Sequence, residues 1–231
     1  MADSGHSTAT LRLTMGTLRI AYPITVPNAA VPAAEIMPAL QGLVNAVVEA
    51  AEAGQAVSCR KGCGACCRQL VPVSRTEGER LLQLVEAMPA ERRQALSVRF
   101  AAAEAAIDRA GLKERGGRSD RELSTAYFAL GVPCPFLEDE SCSIHPERPL
   151  VCREYLVTSP AELCAGEQQD GVTPVAVPKV SMAARGLQDE SDDWFPLALL
   201  MAWSRRRPRT GRRRPGREWI QLFLKRLGAG K

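Results

Sequence analysis

The residues best suited to chemistry are the cysteines, which the sequence gathers into two short segments. The first segment, SCRKGCGACCRQL at residues 58–70, places four thiols within nine positions, and the second covers residues 134–164. Thiolates are the preferred ligands of structural zinc and of iron–sulfur clusters. The candidate metal ligands are therefore Cys59, Cys63, Cys66, Cys67, Cys134, Cys142, Cys152 and Cys164.

The surroundings of the first segment suit a thiolate site. Three cations lie within or beside it. Positive charge lowers thiol pKa values and offsets the negative charge of a polythiolate centre. Gly62 and Gly64 let the backbone curl close to sulfur. The side chains of Cys66 and Cys67 diverge, so that one of them would bridge or serve a second centre. Eight thiols could fill two zinc sites, two iron–sulfur clusters, or one site with several thiols left over. The spacing of the cysteines does not distinguish these arrangements.

The second segment adds candidate supporting residues. Arg148 and Arg153 flank Cys152, and we expect them to contact the cofactor by donating hydrogen bonds to its sulfurs; the alternative is a surface ion pair of little energetic value. His145 follows Cys142 by three residues, a spacing that could ligate a metal, but we favour an exposed loop histidine. A small apolar shell around the site is expected from Phe136, Leu137, Ile144, Leu150 and Tyr155.

The order of these motifs resembles a known family. The chain reads C-x3-C-x2-C-C, then C-P-F-L, then C-x-I-x-x-x-R-P-x-x-C-R. Over about residues 55–165 this is similar to the YkgJ-type cysteine-cluster proteins, the CxxCxxCC zinc- or iron-chelating domain. The resemblance implies eight metal-chelating cysteines in a bacterial cytosolic protein and no settled reaction. Related modules occur in flagellin lysine methylases, which is compatible with an iron–sulfur centre. His145 stands where tyrosine is more usual in the family.

The composition and the N-terminal sequence indicate the cellular compartment of the protein. The 231 residues are 45% hydrophobic, which is enough for a sizeable core. No apolar run approaches the roughly 20 residues of a membrane span. We identify no secretory signal at the N-terminus. The chain is therefore predicted to be cytoplasmic, where thiols stay reduced and clustered cysteines more often bind metal than form disulfides.

Periodicity predicts an α+β, mostly helical fold, with a small irregular metal-centred domain and a short N-terminal β-hairpin. A hairpin is predicted over residues 9–26 and an irregular, proline-rich stretch over 131–164. Helices are predicted over 33–53, 74–88, 89–110, 122–130, 192–203 and 216–227, and an edge strand over 172–180. The predicted domains are 1–54 (hairpin and helix), 55–203 (cysteine-cluster metal-binding domain) and 204–231 (basic tail with a terminal helix).

These patterns predict a polycysteine metal-binding protein with a redox or chelating role. We favour an iron–sulfur cluster of the 4Fe–4S type over zinc, with a redox protein as a possible partner. One alternative is a SAM-dependent enzyme of methyltransferase type, in which Cys59, Cys63 and Cys66 supply the C-x3-C-x2-C triad; the chain lacks the repeated βα pattern of such enzymes. Another is a zinc-stabilised interaction protein that binds nucleic acid through residues 205–217. No catalytic residue is assigned, and whether the chain is an enzyme stays open.

Overall fold

The computed structural model describes residues 5–114, 116–166, 171–188, 194–206 and 211–229. It has an α+β, mostly helical fold, as predicted. The helices are α1 (Met37–Glu52), α2 (Arg75–Glu86), α3 (Ala90–Arg109), α4 (Asp120–Ala129), α5 (Leu150–Glu154), α6 (Ser181–Arg185), α7 (Leu200–Arg206) and α8 (Gly216–Ala229). The strands are β1 (His6–Met15), β2 (Leu18–Pro27), β3 (Ala30–Pro32), β4 (Pro72–Ser74), β5 (Leu137–Glu138), β6 (Ser141–Cys142), β7 (Trp194–Pro196) and β8 (Arg213–Pro215).

The predicted N-terminal hairpin is confirmed. Strands β1 and β2 pair antiparallel, with Met15 opposite Leu18. Gly16 takes a positive φ of 61° at the turn, a conformation that costs glycine little. The alternation of the strands buries Ile20 and Ile24 on one face, so the hairpin is anchored by one side to the core beneath it.

The hairpin covers a first hydrophobic core, built on α1 and α8. Leu40, Val44 and Val47 of α1 are fully buried there, together with Trp219 of α8. The Trp219 indole also donates a 2.8 Å hydrogen bond to the Val31 carbonyl of β3, while β3 pairs with β8. The C-terminal helix therefore packs directly against the N-terminal elements.

A second hydrophobic core lies among α2, α3 and α7. Leu81, Leu96 and Leu200 are buried in it. Phe100 of α3 meets Phe136 edge to face, with ring centroids 5.4 Å apart. This contact fixes the cysteine-bearing loop around Phe136 to a long helix, and aromatic pairs of this geometry contribute about 0.5–1.5 kcal/mol beyond their burial.

Two predicted elements are wrong. Residues 172–180 form a single isolated bridge, between Pro174 and Val157, rather than a strand. Their two prolines supply no N–H donors for a ladder. The predicted helix at 192–203 begins only at Leu200, since Trp194–Pro196 is strand β7 and pairs with β4. Proline disfavours helical backbone in the residue before it, which keeps this stretch extended. Residues 192 and 193 lie outside the described residues.

The central segment 131–164 contains no long helix, as predicted. Its regular pieces are the two-residue strands β5 and β6, the five-residue helix α5, and short 3-10 turns at His145–Glu147 and Ala161–Ala165. Asp139 and Glu140 both take positive φ at the β5–β6 turn. This segment and the loop before β4 carry all eight thiols. Within the described residues, no helix combines the length and the apolar character that crossing a bilayer requires.

Candidate metal centre

The first cysteine segment is held at both ends by backbone contacts. The Ser58 amide donates to the Val157 carbonyl at 2.9 Å, and the Ser58 hydroxyl donates to the Thr158 carbonyl at 3.2 Å. Gly62 turns the chain with a φ of 88°. Cys66 and Cys67 then fall in one 3-10 turn, Ala65–Arg68. A short loop therefore presents four sulfurs from a fixed backbone.

The β5–β6 turn packs directly on this loop. A Cβ added to Gly64 would lie 2.8 Å from Leu137 Cδ1 and 3.2 Å from the Cα of Glu140, so only glycine allows so close an approach. Arg68 forms a two-pronged ion pair with Glu140, at 2.9 and 2.7 Å. The Cys134 amide donates to the Cys67 carbonyl at 2.7 Å. The two cysteine segments, distant in sequence, are thereby joined at the site.

Helix α5 carries Cys152, and its position is set by a residue that the sequence analysis did not single out. Glu77 is buried at the start of α2, where its carboxylate accepts hydrogen bonds from the amide and hydroxyl of Ser74. The same carboxylate accepts from the Leu150 amide, the first of α5, at 2.9 Å. The S-R-T-E pattern signals the helix cap, but nothing local signals the bond to Leu150.

Cys164 reaches the first segment from the other end of the central region. Its 3-10 turn, Ala161–Ala165, packs against the turn that holds Cys66. Arg60 and Glu162 form an exposed ion pair of 3.6 Å between the same two stretches. Cys164 is buried, the other seven cysteines are partly exposed, and all eight are free thiols.

Cys66 is the electrostatic centre of the thiols. A hydrogen bond from Cys67 and the charge of Arg148 lower the pKa of Cys66 to about 7. Burial raises the pKa of Cys134 to about 12, and that of Cys152 well above its ordinary value. The charge on Cys66 adds to the rise in pKa at six neighbours: Cys59, Cys67, Cys134, Cys142, Cys152 and Cys164. One thiolate therefore forms readily near neutral pH, and cations must stabilise any further ones.

The two arginines proposed as cofactor contacts differ in their surroundings. Arg148 lies among the thiols, and its positive charge opposes the burial effect on the pKa values of Cys59 and Cys142. Its Nε has no acceptor among the described residues. Arg153 is buried and donates to the Arg148 carbonyl at 3.0 Å and to Asn45 of α1 at 2.9 Å. Arg153 thus holds the loop that presents Arg148.

Two further polar groups lie beside the thiols. The amide nitrogen of Gln69 and the hydroxyl of Tyr155 are buried there, and Gln69 and Cys164 are the hydrogen-bonding neighbours of the Tyr155 hydroxyl. Tyr155 lies next to Gln69, Cys164 and Cys66. Sequence analysis gave Tyr155 a packing role and did not single out Gln69. Neither residue carries a local sequence signal of a polar role.

The predicted apolar residues lie beside the thiols, and the candidate histidine lies at the surface. Phe136, Ile144 and Leu150 are buried beside the thiols, and Leu137 is half-buried. His145 is exposed. Burial of its ring, followed by the charges of the two nearby arginines, lowers its pKa, so it is neutral at physiological pH.

In the described residues, no three His, Cys, Asp or Glu side chains are close enough together to hold a metal ion. The donor chemistry nevertheless fits a metal, since Cys66 has six other free thiols as electrostatic neighbours and the buried Nε of Arg148 beside them lacks an acceptor among the described residues. Metal ligation and local folding are commonly coupled in sites of this kind. Loading would therefore include rotation of cysteine side chains towards one another.

The sequence profile of a protein family, described as "CxxCxxCC: Putative zinc- or iron-chelating domain", matches residues 58–173, half of the chain. The chain belongs to this CxxCxxCC family. The matched range contains all eight cysteines, the β5–β6 turn and α5, and it confirms the family suggested by the motif order. No curated protein and no solved structure matches the chain significantly. The family description supports metal chelation and leaves the metal undecided.

The basic C-terminal segment is partly folded onto the body of the CxxCxxCC protein. Arg205 pairs with Glu104 at 2.7 Å. The Arg214 guanidinium lies 5.5 Å from the centre of the Trp219 ring, and its strand β8 pairs with β3. Residues 207–210, in the middle of the predicted nucleic-acid-binding stretch, lie outside the described residues. Two arginines of this stretch, Arg205 and Arg214, therefore have protein partners.

Proposed function

We propose that the eight cysteines hold an iron–sulfur cluster of the 4Fe–4S type, in preference to zinc, and that the protein serves electron transfer with a redox partner. Metal chelation itself follows from membership of the family. The choice of iron and sulfide over zinc, and the redox role, are the parts proposed here. A bound cluster would supply a one-electron couple whose potential depends on hydrogen bonds to its sulfurs.

The observation that carries the proposal is the guanidinium of Arg148 beside Cys66, whose buried Nε has no acceptor among the described residues. The Gln69 amide and the Tyr155 hydroxyl are further donors beside the thiols, in contact with each other and with Cys164. A buried donor left without an acceptor costs about 1–3 kcal/mol. Zinc brings no acceptor of its own, whereas the inorganic sulfides of a cluster add acceptors to those of the thiolates. The donors thus favour a sulfide-containing occupant.

Charge also supports this proposal. Four thiolates around one metal centre carry a net negative charge, which is costly in a partly buried site unless cations lie nearby. Arg148 lies among the thiols and lowers the pKa of Cys66. Arg153 holds the carbonyl of Arg148 and its loop in place. We propose that Arg148 contacts the cofactor directly and that Arg153 positions it.

Two further points belong to the same proposal. A reducing compartment such as the cytoplasm would keep all eight thiols free. We do not extend the proposal to SAM chemistry, for which the described residues offer no specific observation. We also do not extend it to nucleic acid, since Arg205 and Arg214 are engaged with Glu104 and Trp219.

The test is purification without oxygen, followed by a visible spectrum and assays of iron, acid-labile sulfide and zinc on one sample. Brown protein with matched iron and sulfide is expected. Arg148→Ala should shift the reduction potential of the cluster, because a positive charge and an N–H donor beside sulfur are lost. Arg12→Ala, in the exposed N-terminal hairpin, is the matched control. Colourless protein with stoichiometric zinc would overturn the iron–sulfur assignment.

A further inference from the structure

A cavity of about 390 Å³ opens at a distance from the thiols along the chain, between strand β7, helix α7 and the connection from α3 to α4. None of the eight cysteines lines it. Sites that bind small organic molecules have volumes of roughly 300–1,000 Å³ and are lined mostly by apolar and aromatic side chains with a few polar groups. The cavity therefore has the size of a site for a small ligand.

One wall of the cavity is aromatic. Trp194, Phe195 and Trp203 line it, and all three side chains are partly exposed. The rings of Phe195 and Trp203 are stacked, with centroids 4.5 Å apart and an interplanar angle of 11°. Because aromatic rings attract one another in offset stacks, a wall of this kind favours a ligand that is itself planar and aromatic.

The rim of the cavity carries a cation that has no partner within the described part of the chain. Arg206, at the end of α7, is exposed and forms no ion pair there. The second basic residue of the rim, Lys113, pairs with Glu104 at 3.0 Å and with Asp108 at 3.9 Å. Glu114, next to Lys113 on the α3–α4 connection, is the acidic residue of the described lining. The positive charge of Arg206 is therefore available to an anionic group of a ligand.

The back of the cavity belongs to a third hydrophobic core, which also reaches the two cysteine segments. Leu199 lines the cavity and is buried in this core. The same core contains Val132, two residues before Cys134, and Leu70, three residues after Cys67, packs against it. A ligand in the cavity would therefore rest on the same side-chain cluster that holds the flanks of both cysteine segments.

We propose that this cavity binds a small planar aromatic anion, whose rings stack on the aromatic wall and whose acidic group pairs with Arg206. Carboxylate, sulfonate and phosphate groups all match the guanidinium fork, so the shared chemistry is an acidic group on an aromatic body. A free inorganic anion would leave the aromatic wall unused, and a neutral aromatic compound would leave Arg206 unpaired. The inference is independent of the metal, because no described residue of the lining is a candidate ligand.

The test compares two fluorescent dyes, titrated into the reduced full chain. Anilinonaphthalene sulfonate is an aromatic anion, and phenylnaphthylamine carries the same rings without the sulfonate. We expect one saturable site per chain, with the anionic dye bound about 2–5-fold more tightly, as an exposed ion pair allows. Arg206→Glu should weaken binding of the anionic dye by about 5–10-fold, because the ion pair becomes a repulsion of similar size, and should leave the neutral dye unaffected.

Two other variants locate the dye. Arg217→Glu makes the same change of charge at an exposed position of α8, outside the cavity, and should leave the affinity for both dyes unchanged. Ala202→Leu, which places additional carbon atoms in the cavity, should weaken binding of both dyes. Circular dichroism checks that each variant is folded.

Three results would overturn the proposal. Absence of saturable binding of the anionic dye to the unmutated chain would remove the site itself, and this result requires no variant. Equal affinities for the two dyes, unchanged in Arg206→Glu, would refute the assignment of an anionic ligand. A loss in Arg217→Glu as large as that in Arg206→Glu would show that the net charge of the protein, rather than the cavity, attracts the dye.

Discussion

Replacement of Glu77 by alanine should destabilise the protein at two places, because one carboxylate serves two helices. It accepts from the Ser74 amide (3.0 Å) and hydroxyl (2.8 Å) at the start of α2, and from the Leu150 amide (2.9 Å) at the start of α5. Loss of the capping-box hydrogen bonds to Glu77 costs about 0.5–1.5 kcal/mol. The buried Leu150 amide, left without an acceptor, costs about 1–3 kcal/mol more. We expect the free energy of unfolding to fall by about 1.5–4.5 kcal/mol in total.

The chain supplies a matched control in Glu122. It forms the same capping box at the start of α4, accepting from the Ser119 amide at 2.8 Å and hydroxyl at 2.7 Å, on the exposed surface. Glu122→Ala should therefore cost only the hydrogen bonds of the capping box, about 0.5–1.5 kcal/mol. Glu77→Gln should lie between Glu77→Ala and the unmutated protein, since the single carbonyl oxygen of glutamine can replace only one of the two accepting oxygens and leaves an NH2 group facing the other donor.

The assay is urea unfolding of the reduced, metal-free chain, followed by circular dichroism. The difference between Glu77→Ala and Glu122→Ala isolates the bond to Leu150. Equal losses in the two variants would refute the assignment of Glu77 as the residue that positions α5.

Three further predictions concern packing, pH and metal release. Gly64→Ala should reduce the amount of bound metal, because the added Cβ would press on Leu137 and Glu140. Gly228→Ala is the control and should not reduce it, because a Cβ at Gly228 has no neighbouring atom within 4 Å. Equal metal contents of the two variants, measured by elemental analysis, would contradict this prediction. The pKa of Glu104 is lowered by hydrogen bonds from Arg205 and Lys113, so its stabilisation exists above the ordinary carboxyl pKa of about 4.3 and is lost as pH falls through the lower folded value. The difference in the free energy of unfolding between the unmutated chain and Glu104→Gln, measured in urea, should therefore become smaller below about pH 4. A difference that stays constant with pH would refute the stabilising role of the Glu104 carboxylate. Removal of bound metal with excess EDTA should lower the free energy of unfolding, because metal ligation and local folding are coupled in sites of this kind, and an unchanged urea midpoint would contradict this.

The sequence alone predicted secondary structure correctly where the apolar periodicity agreed with the positions of glycine and proline. Gly16 marked the hairpin turn, and the apolar stripe of α1 predicted its buried face, with Pro38 tolerated in the first turn. The helix ends near Gly54 and Gly111 were similarly signalled by glycines with positive φ. These features depend on residues close together in the chain, which is why a single sequence reveals them.

Prediction failed where distant partners decide the local structure. Trp194–Pro196 is extended because β4 offers it a partner, and its apolar composition resembled a helix. Residues 172–180 alternate like a strand, but Pro174 and Pro178 leave too few donors for a ladder. The terminal helix was predicted from its periodicity, but the full burial of Trp219 in the first core depends on partners near the other end of the chain.

The candidate site shows the same limit. Cysteine spacing was enough to predict a polythiolate site, and the family match supports chelation. The role of Glu77 and the contact of Tyr155 with Gln69 and Cys164 arise only from contacts between segments, so a single sequence does not reveal them.

The central claim is tested most directly by the mass of the intact chain, prepared without oxygen and kept folded during native mass spectrometry. The account predicts a mass above that of the bare polypeptide by at least one 4Fe–4S cluster, with the ligating thiols protected from alkylation until the cluster is removed. The mass of the bare chain with its cysteines oxidised to disulfides would contradict the polythiolate centre. A mass increased by zinc alone would contradict the iron–sulfur assignment.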